Sequence, residues 1–146
     1  MKVVRAEPGT SLWDKLMAYA RDCRWVAGGH LADMMRDGEF TEWESAFAAL
    51  SGGDIVGFCT LMKTDYYPEN RYSPWISTVF VDEDHRDQGI CGRLVESACR
   101  YAQSAGFRRV FIPSGIVGLY ERYGFCQIDR LVNYGGETDN IFAKNI

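Results

Sequence analysis

The chain predicts a mixed α/β fold: a central mixed sheet, mostly antiparallel, with helices on both faces. Three observations predict it. Apolar residues recur at helical spacing in 12–24 and again in 93–105. Short runs rich in β-branched and aromatic residues, bounded by glycine or proline, read as strands. The middle of the chain runs strand, helix, strand (75–81, 93–105, 108–112), a crossover that makes its two strands parallel, while turns such as Gly52-Gly53-Asp54 make antiparallel hairpins elsewhere.

The elements follow in order. Lys2–Ala6 is a strand that ends at Pro8-Gly9. Thr10 or Ser11 caps a helix over Leu12–Arg24, the side-chain oxygen taking a free backbone N–H, with Leu12, Leu16, Tyr19, Ala20 and Cys23 on one stripe. Gly28-Gly29 is expected to break it, so the second helix is placed at His30–Arg36. Glu42–Leu50 and Ile55–Lys63 form a hairpin. TDYYPENRYSP (64–74) is a loop, with two prolines and three tyrosines. Trp75–Val81 is a strand, Arg93–Ala105 a helix stopped at Gly106, and Arg108–Ile112 a strand. Ile116–Arg122 reads as a short helix, and Phe125–Val132 and Asn140–Lys144 as the last strands. The predicted order is β-α-α-β-β-β-α-β-α-β-β.

The bulk numbers bound the function. At 146 residues the chain is read as one domain, 1–146, and 47% hydrophobic with 25% charged residues fits a globular core. A net charge of −4 argues against a nucleic-acid partner and favours a cationic small molecule. The five cysteines include no CxxC and no His/Cys cluster at zinc spacing, so no metal is expected. MKVVRAEPGT lacks the apolar stretch of a leader, and no run approaches the ~18 apolar residues of a membrane span. Reduced thiols in a cytoplasm are the expectation, with no membrane partner.

The stretch that carries chemistry is HRDQGICGRL (85–94), at a strand-to-helix junction. A helix N-terminus presents unpaired N–H groups and partial positive charge. Glycine lets a bulky anion approach the backbone. Arg86 and Arg93 add cations nearby. The combination suits a phosphate or pyrophosphate, although an ordinary turn with solvated charges has the same spacing. Neither GxxxxGK[ST] nor GxGxxG is present.

Arg86-Asp87-Gln88-Gly89-Ile90-Cys91 resembles the R/Q-x-x-G-x-G/A signature of the GNAT superfamily, the acetyl-coenzyme A-dependent N-acetyltransferases. Leu119-Tyr120-Glu121-Arg122-Tyr123-Gly124-Phe125 resembles a second element of that family, at the family's distance from the first. The element order is similar along nearly the whole chain. The resemblance implies a GNAT-like fold and acetyl-coenzyme A as cosubstrate. It implies that the pyrophosphate lies on the backbone of Gln88, Gly89, Ile90, Cys91 and Gly92, with Arg86 and Asp87 in the same loop. It implies that the pantetheine runs beside Val79, Phe80 and Val81, and that Tyr120 stands at the general acid's position. Two positions depart from the family pattern. Cys91 replaces the usual glycine or alanine; a thiol at a helix N-terminus tends to a lowered pKa, which would make the loop oxidisable, while the plainer reading is a small packing residue. Pro113 stands where many members carry asparagine, and Ser114 is the neighbouring substitute for that cofactor contact.

Direct transfer needs a neutral amine, a polarised carbonyl and a protonated leaving thiolate. Tyr120 suits the third task, and a backbone N–H near Val79 the second. Strand 75–81 carries no carboxylate or imidazole to act as base; Glu44 and Asp65 are candidates, and a water chain is an alternative. His85 belongs to the phosphate side. The acceptor side is expected at Trp25–His30 and the turn Tyr134–Glu137, with Trp25, His30, Glu44, Trp75 and Ser77 as substrate-binding candidates and Phe40 and Trp43 as further aromatics. The reading is an N-acetyltransferase acting on a primary amine of a small molecule or peptide. The alternatives are a non-catalytic acyl-coenzyme A binding or sensing module and an acyltransferase using a longer acyl group. A homodimer is left open as the assembly.

Overall fold

The computed structural model describes all 146 residues, Met1–Ile146. The elements are β1 (Lys2–Ala6), α1 (Ser11–Asp22), α2 (Val26–Arg36), β2 (Ser45–Ser51), β3 (Asp54–Met62), β4 (Trp75–Val81), α3 (Ile90–Ser104), β5 (Arg109–Ser114), β6 (Cys126–Val132) and β7 (Thr138–Asn145). The strands form one seven-stranded sheet of order β1-β2-β3-β4-β5-β7-β6, in which only β4 and β5 run parallel. This is the mixed, mostly antiparallel sheet that the sequence predicts. No helix is long and apolar enough to cross a membrane.

Strand periodicity divides the core between the two faces. On β2, Phe47 and Ala49 face one way and pack with Leu94, Val95, Ala98 and Ala102 of α3. Ala46 and Ala48 face the other way and pack with Leu16 and Ala20 of α1 and Leu31 and Met35 of α2. On this second face no helix covers β5, β6, β7 or the Trp75 end of β4. There Trp75, Phe111, Leu131, Ile141 and Ala143 are covered by Tyr67, with Tyr72 packed alongside, both from the loop 64–74. Three bonds pin that loop: Tyr67 Oη donates to Asp139 (2.8 Å), Tyr72 Oη to Asp129 (2.6 Å), and the Tyr134 N–H to the Tyr66 carbonyl (3.1 Å). The tyrosines thus build a lid over a bare sheet face.

Most boundaries shift by a residue or two, and four differences have a physical reason. Gly28-Gly29 lies inside α2, which starts at Val26 rather than His30. A Cβ on Gly28 would sit 2.5 Å from both the Ala20 carbonyl oxygen and Cys23 Sγ, so this glycine lets α1 and α2 approach closely instead of ending a helix. The stretch 116–122 forms turns and a single 3₁₀ turn, Glu121–Tyr123. Gly118, at φ 84°, breaks the helical path there. The second strand begins at Ser45, not Glu42, because Glu42 has φ 52°. Glu44, just before it, accepts from Thr41 N–H, Thr41 Oγ1 and Lys63 N–H (3.1, 2.8 and 2.9 Å) and ties the two strand ends together. Finally, α3 starts at Ile90, earlier than Arg93, which places Cys91 and Gly92 in its first turn.

Candidate active site

The parallel strands β4 and β5 pair only at Trp75↔Phe111 and then part. Two local features keep them apart. Pro113 has no N–H to donate. On β4, Thr78 and Val79 together oppose the single residue Cys59 of β3, a bulge in which Thr78 takes φ 47°. A left-handed β-branched residue is strained backbone, and the Thr60 hydroxyl, 3.0 Å from that of Thr78, fixes it from the neighbouring strand. Beyond Trp75, the β5-facing edge of β4 has no ladder partner on β5. The gap is a cleft of about 320 Å³, walled by Ile76, Ser77, Thr78, Val79 and Val81 on one side and Ile112, Pro113 and Ser114 on the other. Cys91, Leu119 and Tyr120 close its depth.

One end of the cleft meets the N-terminus of α3. Gly89 caps this helix in the left-handed region, at φ 77°, and the preceding Asp87 is also left-handed, at φ 63°. The first ladder bond runs from Arg93 N–H to the Gly89 carbonyl (3.2 Å). The N–H groups of Ile90, Cys91 and Gly92 therefore precede the intrahelical pattern. Nothing lies within 4 Å of where a Gly89 Cβ would stand. Gly92 is different: its Cβ would meet the Tyr123 ring at 2.6 Å, so its small size serves packing of α3 on the 121–123 turn. Arg86 folds back, its Nε donating to the Val81 carbonyl (3.1 Å). Arg86, Asp87, Gln88 and Arg93 are exposed, and Ile90 is buried in the core.

Tyr120 is buried, with its ring edge-on to Phe125 at 6.1 Å. Its hydroxyl makes no hydrogen bond within the protein, and the ring lines the cleft. Burial pushes the phenol well above its usual value, and Cys91, Cys59 and Tyr123 add to the rise. Burial likewise raises the Cys91 thiol, outweighing the opposing effect of Arg122. Burial thus favours the neutral thiol, which suits the plainer reading of Cys91 as a small packing residue.

The other end opens into a second cavity of about 270 Å³, which shares Trp25, Thr78, Pro113, Ser114 and Gly115 with the cleft. Asp65, Tyr66, Tyr67 and Asp139 complete its polar wall. The Ser77 hydroxyl donates a short hydrogen bond to Asp65 Oδ2, and the Tyr66 N–H donates to Oδ1 (2.6 Å). Burial nevertheless raises the Asp65 carboxyl above the usual carboxylate range; these two bonds oppose the rise and Asp139 adds to it. Asp139 Oδ2 accepts from Tyr67 Oη (2.8 Å) and Asn133 Nδ2 (3.1 Å), while its Oδ1 has no partner in the protein.

The remaining sequence candidates fall in several places. Val79 and Val81 line the cleft, but the Phe80 ring stacks on Phe58 and Trp25 on the opposite sheet face (5.2 and 5.8 Å), leaving Phe80 only its backbone to offer. Ser114 lines the cleft, though its hydroxyl is engaged with the N–H and C=O of Ile116. Trp25 and Ser77 reach the cavities. Trp75 does not: it is fully buried among Tyr67, Tyr72 and Phe111. His30 is exposed on α2, and Glu44 is spent on the β2–β3 ends; neither lines a cavity. Phe40 and Trp43 pack on Trp13 and Phe107 instead. Asp139 was missed, because a lone aspartate in a strand has no sequence mark until the fold lays β7 beside the tyrosine loop. Thr78 was missed because a bulge leaves no signal in WISTVFV.

The profile of the acetyltransferase (GNAT) family matches residues 13–125, and the chain belongs to that family. Among characterised proteins it is similar to N-alpha-acetyltransferase 30 of Schizosaccharomyces pombe, 24% identical over 99 residues, which cover 64% of this chain and 65% of that protein. It is also similar to N-acetyltransferase 8 of Rattus norvegicus, 31% identical over 84 residues, covering 54% of this chain and 38% of the rat protein. The matches thus span less than two thirds of these relatives' own lengths. Among solved structures, an aminoglycoside 6'-N-acetyltransferase complexed with coenzyme A superposes with a TM-score of 0.75 at 17% identity, covering 99% of this chain and 97% of that one.

Proposed function

We propose that this protein transfers an acetyl group from acetyl-coenzyme A directly to a primary amine. The observation that carries the reading is the unpaired edge of β4, running from the α3 N-terminus past Tyr120 to an acidic cavity. The residues present suit the cosubstrate. An extended pantetheine fits an edge that offers backbone groups for strand-like pairing, and a pyrophosphate fits the amides of Ile90, Cys91 and Gly92 beside an open Gly89. When bound, coenzyme A supplies the acyl thioester and the leaving thiolate.

The chain's own residues do the rest. The β4 backbone near Val79 orients and polarises the carbonyl. Tyr120 holds a proton throughout the physiological range, because burial raises its pKa. The same water-poor surroundings raise a thiolate's proton affinity, so the phenol is placed to donate as charge develops on sulfur. Five free thiols, Cys23, Cys59, Cys91, Cys99 and Cys126, support a reducing cytoplasm as the setting.

Two measurements test this. Saturating acetyl-coenzyme A should raise Tm, since a ligand that binds only the folded state stabilises it, by about 2.7 kcal/mol at a hundred times Kd. Free-thiol release should then be followed over a panel of small amines and short peptides. No thermal shift would sink the cosubstrate assignment; a shift without acetylation of any amine would leave a binding module.

A further inference from the structure

We infer that the cavity of Asp65, Asp139, Tyr66 and Tyr67 is the acceptor site, that Asp65 takes the proton released by the attacking amine, and that Asp139 holds a second positive charge on the same acceptor. The inference rests on the amine acetylation proposed above and names its substrate class: a small amine with two cationic centres.

The cavity shares Thr78 and Pro113–Gly115 with the cleft that holds Tyr120, so an amine entering there approaches the gap between β4 and β5 from the side opposite the α3 N-terminus. Asp65 is half-buried at that junction, anchored by Ser77 of β4 and by its neighbour's N–H. Each carboxylate oxygen accepts one bond and has room for another, so Asp65 is positioned and still able to receive a proton. Asp139 is held from β7 through Oδ2, by Tyr67 and Asn133, and Oδ1 is left for a ligand. The titratable groups facing Asp65 are Asp139 and the phenols of Tyr66 and Tyr67; the lining has no cation to neutralise either carboxylate. Trp25, Tyr66 and Tyr67 add aromatic surface, which attracts cations as well. The two acids thus divide the work by place: Asp65 is tied to Ser77, which lines the cleft, and Asp139, on β7, is fixed by a phenol and an amide.

The step balances. The neutral amine nitrogen bonds to the acyl carbon, and the bond from that carbon to sulfur breaks. The nitrogen's surplus proton goes to the Asp65 carboxylate, and the departing sulfur takes its proton from the Tyr120 hydroxyl. Asp65 returns its proton to solvent, from which Tyr120 is reprotonated. Since Asp65 must be ionised to accept, and burial raises its pKa, turnover falls as pH drops through that raised value.

Putrescine, a dication, and n-butylamine, its monocationic counterpart, separate the two roles. By calorimetry the wild-type protein should bind putrescine at least about tenfold more tightly, and Asp139→Asn should abolish that difference while leaving n-butylamine affinity alone. Asp65→Asn should cut kcat for putrescine about 10²-fold and remove the acid limb of the kcat–pH profile. Asparagine can still accept from Tyr66 N–H and pair with Ser77, so acetyl-coenzyme A affinity should hold and Tm should not fall at neutral pH; Asp65→Glu should restore part of the turnover and the limb. Equal wild-type affinity for the two amines overturns the second-charge assignment. An Asp65→Asn protein with wild-type kcat, or with the limb intact, overturns the base. If wild-type protein binds acetyl-coenzyme A but acetylates no amine at all, the amine-acetylation reading fails first and this inference with it. If Asp65→Asn does not fold, Ser77→Ala must lower kcat and move the acid limb, or the assignment falls.

Discussion

Tyr120 and the two glycines at the α3 N-terminus show how differently single residues constrain one cleft. Tyr120→Phe keeps the ring against Phe125 and removes a hydroxyl that has no partner in the protein. Stability should therefore hardly change. If the hydroxyl protonates the leaving thiolate, kcat should fall about ten- to a hundredfold, at the low end of general-acid effects, with acetyl-coenzyme A affinity retained. Steady-state kinetics beside calorimetry checks both halves. Gly89 and Gly92 stand three positions apart in the loop yet fail for opposite reasons. Gly89→Ala meets no atom but must hold φ 77°, a backbone cost of about 1–2 kcal/mol that appears in stability and spares packing. Gly92→Ala has an ordinary helical backbone but drives a methyl into the Tyr123 ring at 2.6 Å. Overpacking of that kind costs about 1–3 kcal/mol and should tilt the 121–123 turn that carries Tyr120, so kcat should fall along with denaturant midpoint.

At the scale of elements, the α1–α2 pair and the tyrosine loop do the supporting. Gly28→Ala puts its Cβ 2.5 Å from the Ala20 carbonyl oxygen, and backbone yields less readily than a side-chain end. The helices must separate, and a loss of about 1–3 kcal/mol by urea denaturation is expected. Trp25, just before α2, should shift with them, so acceptor binding should weaken more than cofactor binding. An unchanged midpoint would mean that the two helices pack less tightly than their geometry requires. In the loop, Tyr67 covers the sheet face and fixes Asp139 with one hydroxyl. The element that stands in for a missing helix is thus also the floor of the acidic cavity. Glu44 gives a contrasting case: an acid legible in sequence as a candidate base turns out to tie strand ends, because three donors converge on it.

The molecule as a whole carries a stability cost at its site. Asp65 is a carboxylate whose folded pKa is raised. The folded state then binds the proton more tightly than the unfolded state does, so the stabilisation it contributes is full at acidic pH, below the unfolded value of ~3.9, and is lost as pH rises through the raised folded value. Asp65→Asn removes this dependence. The variant should be as stable as wild type, or less, in acid and more stable at neutral pH, with Tm against pH as the measurement. A variant less stable than wild type at neutral pH would show that the Ser77 and Tyr66 hydrogen bonds outweigh the desolvation of the charge.

What the sequence determined by itself was everything that rests on neighbours along the chain. Helical stripes, strand runs and the HRDQGICGRL junction were legible because periodicity, capping and turn chemistry act over a few residues, whereas the role expected of Tyr120 came from resemblance to the GNAT family. Where it misled, local signals were overruled by contacts from afar. Gly28-Gly29 reads as a break until α1 lies against it, and Trp75 reads as pocket lining until Tyr67 and Phe111 bury it. Only the tertiary structure brought together the two acids of the proposed acceptor cavity. Asp65 and Asp139 are 74 positions apart in the chain (139 − 65), and they meet because the tyrosine loop folds over β7 where no helix covers the sheet. A site assembled across such a distance is set by packing, and packing leaves no mark in any short stretch of residues.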